Sequence, residues 1–95
     1  MKERTLMIVG LGELGGIVLE LLARVPNLGT RIVAADFNDD MGLRKVNSAV
    51  QGASLWGLYP EIEFRKVDLN NIDETASLLK AVAPDVVFNA TTIAS

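Results

Sequence analysis

Three glycines at a set spacing are the residues of this chain whose chemistry can be read first. Gly10-Leu11-Gly12-Glu13-Leu14-Gly15 has the pattern G-x-G-x-x-G. Each glycine has a separate task in such a turn. Gly10 permits a tight passage from strand to helix. Gly12 has no side chain, so a pyrophosphate can come close to the backbone. Gly15 lets the helix pack against the sheet. The N–H groups of the first helical turn, where Glu13 and Leu14 stand, then face the phosphates with the helix dipole behind them. Gly16 adds further room. The Glu13 side chain reads as solvated, because a carboxylate aimed at a pyrophosphate would repel it. The same glycine turn can also close a strand–helix connection that binds nothing, so the flanking elements must decide.

Asp36, Phe37, Asn38, Asp68, Leu69, Ala90 and Thr91 could complete such a site. Asp36 stands about 20 residues beyond Gly15, where a carboxylate can accept both hydroxyls of an adenosine ribose. Capping a helix is the plainer role, and the two can coexist. Phe37, Asn38, Asp39 and Asp40 follow it, and the sequence offers no cation until Arg44. A 2′-phosphate would meet that negative charge, so the expected cofactor is NAD, with NADP less favoured. Asp68, followed by Leu69, could accept from an adenine amino group while a backbone N–H serves a ring nitrogen. Turn capping ahead of Asn70 and Asn71 is the equal alternative. Ala90 and Thr91 should pass close to the nicotinamide ribose or the pyrophosphate.

The elements that must hold these residues follow from hydrophobic periodicity. Leu6 to Val9 reads as a buried strand, β1. Leu14, Ile17, Val18, Leu21, Leu22 and Val25 make one helical stripe, α1, ended by Pro26 and a turn at Asn27-Leu28-Gly29. Arg31 to Ala35 is β2. Asn38, Asp39 and Asp40 can cap α2, whose apolar positions are Met41, Leu43, Val46 and Val50 and which should end near Gly52. Residues 53–60 read as a loop with Trp56 and Tyr59 covering the core. Ile62 to Val67 alternates as β3, and Arg65-Lys66 reads as a solvated strand tip.

Asn71-Ile72-Asp73-Glu74 resembles a capping box. Thr75, Ala76, Leu79, Val82 and Ala83 form the α3 stripe, which Pro84 stops. Asp85 to Ala90 is β4. Alternation of this kind predicts an α/β fold, a Rossmann-like parallel sheet β-α-β-α-β-α-β with strand order 3-2-1-4. The sequence is then expected to be a dinucleotide-binding domain cut after its fourth strand, with the catalytic and substrate-binding part elsewhere. The exposed β4 edge that this leaves should favour a homodimer or higher self-association.

Composition narrows the function classes. The chain has 95 residues, 49% of them hydrophobic, and a net charge of -3. The nine Lys and Arg are scattered, so no nucleic-acid partner is expected. The sequence has no cysteine and no histidine. That removes disulfides and thiolate chemistry, the commonest general base and the commonest metal ligand, so no metal site and no catalytic residue is assigned. The apolar run at the N-terminus is too short for a signal peptide or a membrane span, which places the chain in the cytoplasm.

Taken together, four stretches resemble the N-terminal segment of saccharopine dehydrogenase-like proteins. They are Ile8-Val9-Gly10-Leu11-Gly12-Glu13-Leu14-Gly15-Gly16, Ala35-Asp36-Phe37-Asn38, Val67-Asp68-Leu69-Asn70 and Pro84-Asp85-Val86-Val87-Phe88-Asn89-Ala90. The resemblance implies an NAD(P)-dependent oxidoreductase acting on an amino acid or amine, with an imine formed or reduced by hydride transfer. It places the small-molecule substrate outside these residues. Extended short-chain dehydrogenases, such as sugar-nucleotide epimerases, share the acidic ends of β2 and β3 but space their glycines differently. A non-catalytic nucleotide-sensing module is the other alternative. Potassium-channel regulatory domains share the glycine turn and acidic β2 end. They rarely carry the long approach from Leu78 to Asp85.

Overall fold

The computed structural model describes residues 4–25 and 30–91. Pro26 and the turn expected at Asn27-Leu28-Gly29 lie outside the described residues. Seven elements alternate along the chain: β1 (Arg4–Val9), α1 (Glu13–Ala23), β2 (Thr30–Asp36), α2 (Asp39–Ser54), β3 (Ile62–Lys66), α3 (Ile72–Val82) and β4 (Val86–Asn89). The strands form one sheet in the order β3-β2-β1-β4. Every pairing is parallel. This is the Rossmann-like arrangement that the alternation predicts.

The sheet separates two apolar layers. Ile8, Ile32 and Ala34 face Leu11, Leu19 and Ala23 of the first crossover and Val46, Ala49 and Ala53 of α2. Met7, Val9, Val33 and Ala35 face the other way, toward Val67 and Val82, with Leu78 of α3 against them. Alternate residues of a strand point to opposite faces, so residues 6–9 of β1 and 32–35 of β2 are continuously apolar because both faces are covered there.

The buried face of α1 is not the predicted stripe. Gly15, Gly16, Leu19 and Ala23 are its buried residues, with Val18 and Leu22 packed beside them. Leu14, Ile17 and Leu21 are exposed, Leu21 to 62%. Apolar residues run nearly all the way round this helix, so periodicity supports more than one face. The close approach at Gly15 selects which one meets the sheet. In α2, Met41, Val46 and Val50 pack inward, but Leu43 is exposed.

Three other expectations are corrected. Trp56 and Tyr59 do not cover the core; they are 75% and 84% exposed. The helix runs on to Ser54, and Gly57 then takes φ 75°. That left-handed turn sends Leu58 against the core cluster in their place. In α3, Ala76, Leu79 and Ala83 are exposed, and Leu78 joins Val82 as the packed pair. Ala83 belongs to the helix end instead, a left-handed C-cap with φ 47° whose N–H donates to the Leu79 carbonyl at 2.8 Å. Only half of the expected capping box forms. Asn71 Oδ1 accepts from the Glu74 N–H at 3.0 Å, but the Glu74 carboxylate turns to the Asp68 N–H at 3.1 Å.

Candidate functional site: a cofactor groove at the carboxyl ends of the strands

The groove is built at the carboxyl ends of the strands, where β1 and β4 lie side by side. Residues that follow all four strands meet there and enclose an open groove of about 770 Å³. From the first turn come Gly10, Gly12, Glu13 and Leu14. After β2 come Asp36, Phe37 and Met41; after β3, Val67, Asp68, Leu69 and Asn70. Ala90 and Thr91 close it from β4. Gly15 and Asn38, also predicted, do not line the groove. They act one step back, as the packing contact of α1 and the N-cap of α2. Met41, Val67 and Asn70 escaped the sequence reading. Their signal was only that each lies within a few residues of an acidic strand end.

The three glycines have different environments. Gly10 takes φ 92°, and a Cβ there would stand 2.9 Å from the Thr91 nitrogen. Its own N–H donates to the Ala35 carbonyl at 2.8 Å, which ties the turn to β2. A Cβ on Gly15 would overlap the Gly10 carbonyl oxygen, so helix and turn touch backbone to backbone there. Gly12 is the opposite case: an added Cβ meets nothing within 4 Å. Its lack of a side chain keeps the groove floor clear rather than relieving a clash.

Gly12 is also the N-cap of α1, and no side chain caps that helix. The first-turn N–H groups are therefore open to an anion. Gly16 does not add room for one. The Lys45 side chain lies over it, with Nζ 3.1 Å from where a Cβ would stand.

Asp36 is engaged on both oxygens. Its Oδ2 accepts the Leu11 N–H at 2.6 Å, and its Oδ1 accepts the Asn38 N–H at 3.1 Å. Asn38 caps α2 by accepting from the Met41 N–H at 3.0 Å. Asp36 thus both organises the turn and keeps acceptor capacity toward the groove, since each carboxylate oxygen has more than one lone-pair site. Asp68 Oδ1 accepts the Asn70 N–H at 3.0 Å, the turn-capping role. The Asp68 N–H is taken by Glu74. At the far side, Asn89 Oδ1 accepts from the Thr91 N–H at 3.0 Å and from the Thr91 hydroxyl at 2.5 Å.

These features fit a dinucleotide: uncapped helix N–H groups, a clear floor at Gly12, and a carboxylate at the end of β2. The described residues hold no cluster of carboxylates that could bind a metal ion. None of their helices is long and apolar enough to cross a membrane.

Residues 6–95 match the family model described as the saccharopine dehydrogenase NADP binding domain. The chain belongs to this family. No curated protein matches the sequence. Among solved structures, a lactate dehydrogenase from Cryptosporidium parvum, complexed with lactic acid and nicotinamide adenine dinucleotide, superposes with a TM-score of 0.74 at 16% identity. The match covers 100% of this chain and 26% of that one. Saccharopine dehydrogenase (L-Glu forming) from Saccharomyces cerevisiae gives 0.66 at 13% identity, covering 94% of this chain and 17% of that one.

A short-chain type dehydrogenase/reductase from Mycobacterium ulcerans gives 0.70 at 25% identity, covering 100% of this chain and 34% of that one. The saccharopine dehydrogenase-type domain therefore spans between 17% and 34% of each of these three proteins. Its fold is the nicotinamide-dinucleotide-binding fold of dehydrogenases.

Proposed function

We propose that this domain binds NAD in the groove, in preference to NADP, as the cofactor-binding part of an oxidoreductase acting on an amino acid or amine. The observation that carries this reading is the convergence of the uncapped α1 N-terminus and the Asp36 carboxylate on one groove. The first-turn N–H groups would hold the pyrophosphate. Asp36 would accept the ribose hydroxyls, and Phe37 and Leu69 would flank the adenine. Asp68 has an oxygen available toward the adenine amino group. Bound NAD would supply or accept the hydride. The residues of this chain would bind and orient it, while substrate and acid–base groups would belong to other parts of the protein, in the cytoplasm.

Titration calorimetry with NAD and NADP tests this reading. NAD should bind, and more tightly than NADP. No binding of either would remove the reading, and tighter NADP binding would reverse the role given to Asp36.

One observation favours a second reading. The match to the short-chain type dehydrogenase/reductase spans this chain from end to end at 25% identity. The domain would then serve alcohol or sugar oxidation rather than imine chemistry. Following NADH absorbance with amino-acid and with alcohol substrates separates the two.

The domain would also self-associate with a second copy. Among the described residues β4 is the last strand on its side of the sheet, and Val86, Val87 and Phe88 are exposed along it. Unpaired N–H and C=O groups on a short apolar edge are a template for an identical edge.

A further inference from the structure

The reach of Asp36 is shared with a lysine that lies far from it in sequence. Lys66 is the last residue of β3 and the register partner of Asp36, the last residue of β2. Ile32 and Ala34 of β2, and Ile62 and Phe64 of β3, all pack on the α1/α2 side of the sheet. Strand side chains alternate, so Asp36 and Lys66 project on that same side from neighbouring positions. The Lys66 ammonium stands over the Phe37 ring, 5.7 Å from its centroid, within the range of a cation–π contact. Phe37 itself lines the groove. A lysine that reads as part of a solvated strand tip thus stands against a residue that lines the groove.

Two neighbouring cations are held by a carboxylate. Arg65 pairs with Glu63 at 2.8 Å, and Arg31 reaches the same carboxylate at 3.4 Å. The Arg44 Nε donates to the Asp40 carbonyl at 3.3 Å. Among the described residues, Lys66 has no carboxylate partner. Asp36 lines the groove and Asp39 and Asp40 open α2 just after it, and Lys66 is the cation in register with Asp36.

We propose that Lys66 is a specificity-determining residue: it lets the site accept a 2′-phosphorylated adenosine despite Asp36. The inference rests on the nucleotide reading above and deepens it. A ribose held by Asp36 would lie beside Lys66, its register partner on β3. There the ammonium can leave the Phe37 ring and meet the phosphate as a mobile point charge. With an unphosphorylated ribose it stays over the ring and contributes little. Lys66 therefore sets the ratio of the two affinities without controlling binding of the common part.

The test uses 5′-ADP and 2′,5′-ADP as probes, titrated calorimetrically into the wild-type chain, Lys66→Gln and Lys66→Arg. Wild type should bind both, 5′-ADP the more tightly. Lys66→Gln should weaken 2′,5′-ADP by about tenfold, the loss of one charge-assisted contact, and leave 5′-ADP within about twofold. Lys66→Arg should restore most of the 2′,5′-ADP affinity. An equal loss for both probes, no loss for 2′,5′-ADP, failure of Lys66→Arg to restore it, or a wild type that binds 5′-ADP alone would each overturn the assignment. If wild type binds neither probe, the nucleotide reading fails as well.

Discussion

The Asp36 carboxylate holds the Leu11 N–H at 2.6 Å, so the acidic end of β2 and the glycine turn form one unit across 25 residues of sequence. The residue proposed to read the ribose also sets the shape of the turn proposed to read the pyrophosphate. Replacing Asp36 by Ala should therefore have two effects. Loss of a charged acceptor for the ribose should weaken NAD by on the order of 1.5–3 kcal/mol, and NADP by less. Loss of the acceptor for Leu11 should also lower stability, by about 1 kcal/mol or more. Calorimetry with both cofactors and urea unfolding measure the two separately. An unchanged NAD affinity would exclude the ribose role.

Gly12 and Gly15 should fail in different ways. Gly12→Val places its side chain in open groove space, so the fold should survive with most of its helix content while dinucleotide binding is abolished. Gly15→Ala drives a methyl group into the Gly10 carbonyl oxygen, so turn and helix must move apart and stability should fall. Circular dichroism alongside NAD titration separates the two outcomes. NAD binding retained by Gly12→Val would remove the glycine-turn argument.

Gly42→Ala sets two opposing effects against each other. Inside a helix, alanine is favoured over glycine by about 1 kcal/mol. Here the new Cβ would stand 2.0 Å from an edge carbon of the Phe64 ring. Overpacking costs about 1–3 kcal/mol, so the sum should be destabilising. Chemical denaturation of the variant decides it, and an increase in stability would mean that Phe64 moves aside freely.

Self-association should depend on the β4 edge. Light scattering across a concentration series should show a dimer or larger species. Val87→Lys should shift it toward monomer, since a charge on a terminal strand opposes edge pairing. A wild-type chain that stays monomeric at high concentration would show that this sheet needs no such partner.

How much of this was legible without coordinates depends on the range of the interactions. The glycine spacing, the acidic ends of β2 and β3 and the Asn38 and Asn71 caps are local signals, carried by residues a few positions apart. The glycine turn, Asp36 and the two caps stand where the sequence assigns them, whereas β3 ends at Lys66 and leaves Asp68 in the turn beyond it. The strand order follows from the alternation of elements and the handedness of parallel crossovers.

The face of α1 was not decided locally. Apolar residues surround that helix, and its orientation comes from backbone contact between Gly15 and Gly10, which only the folded turn creates. The exposure of Trp56 and Tyr59 depends on where α2 ends and on the left-handed turn at Gly57. The Gly16 space looks empty in sequence but is filled by Lys45 from another helix. Lys66 belongs beside Phe37 and Asp36 because two strands pair in a particular register, a relation between residues about 30 positions apart. Local chemistry specifies which residues can bind and cap. Packing of distant elements decides which faces they present and which charges they meet.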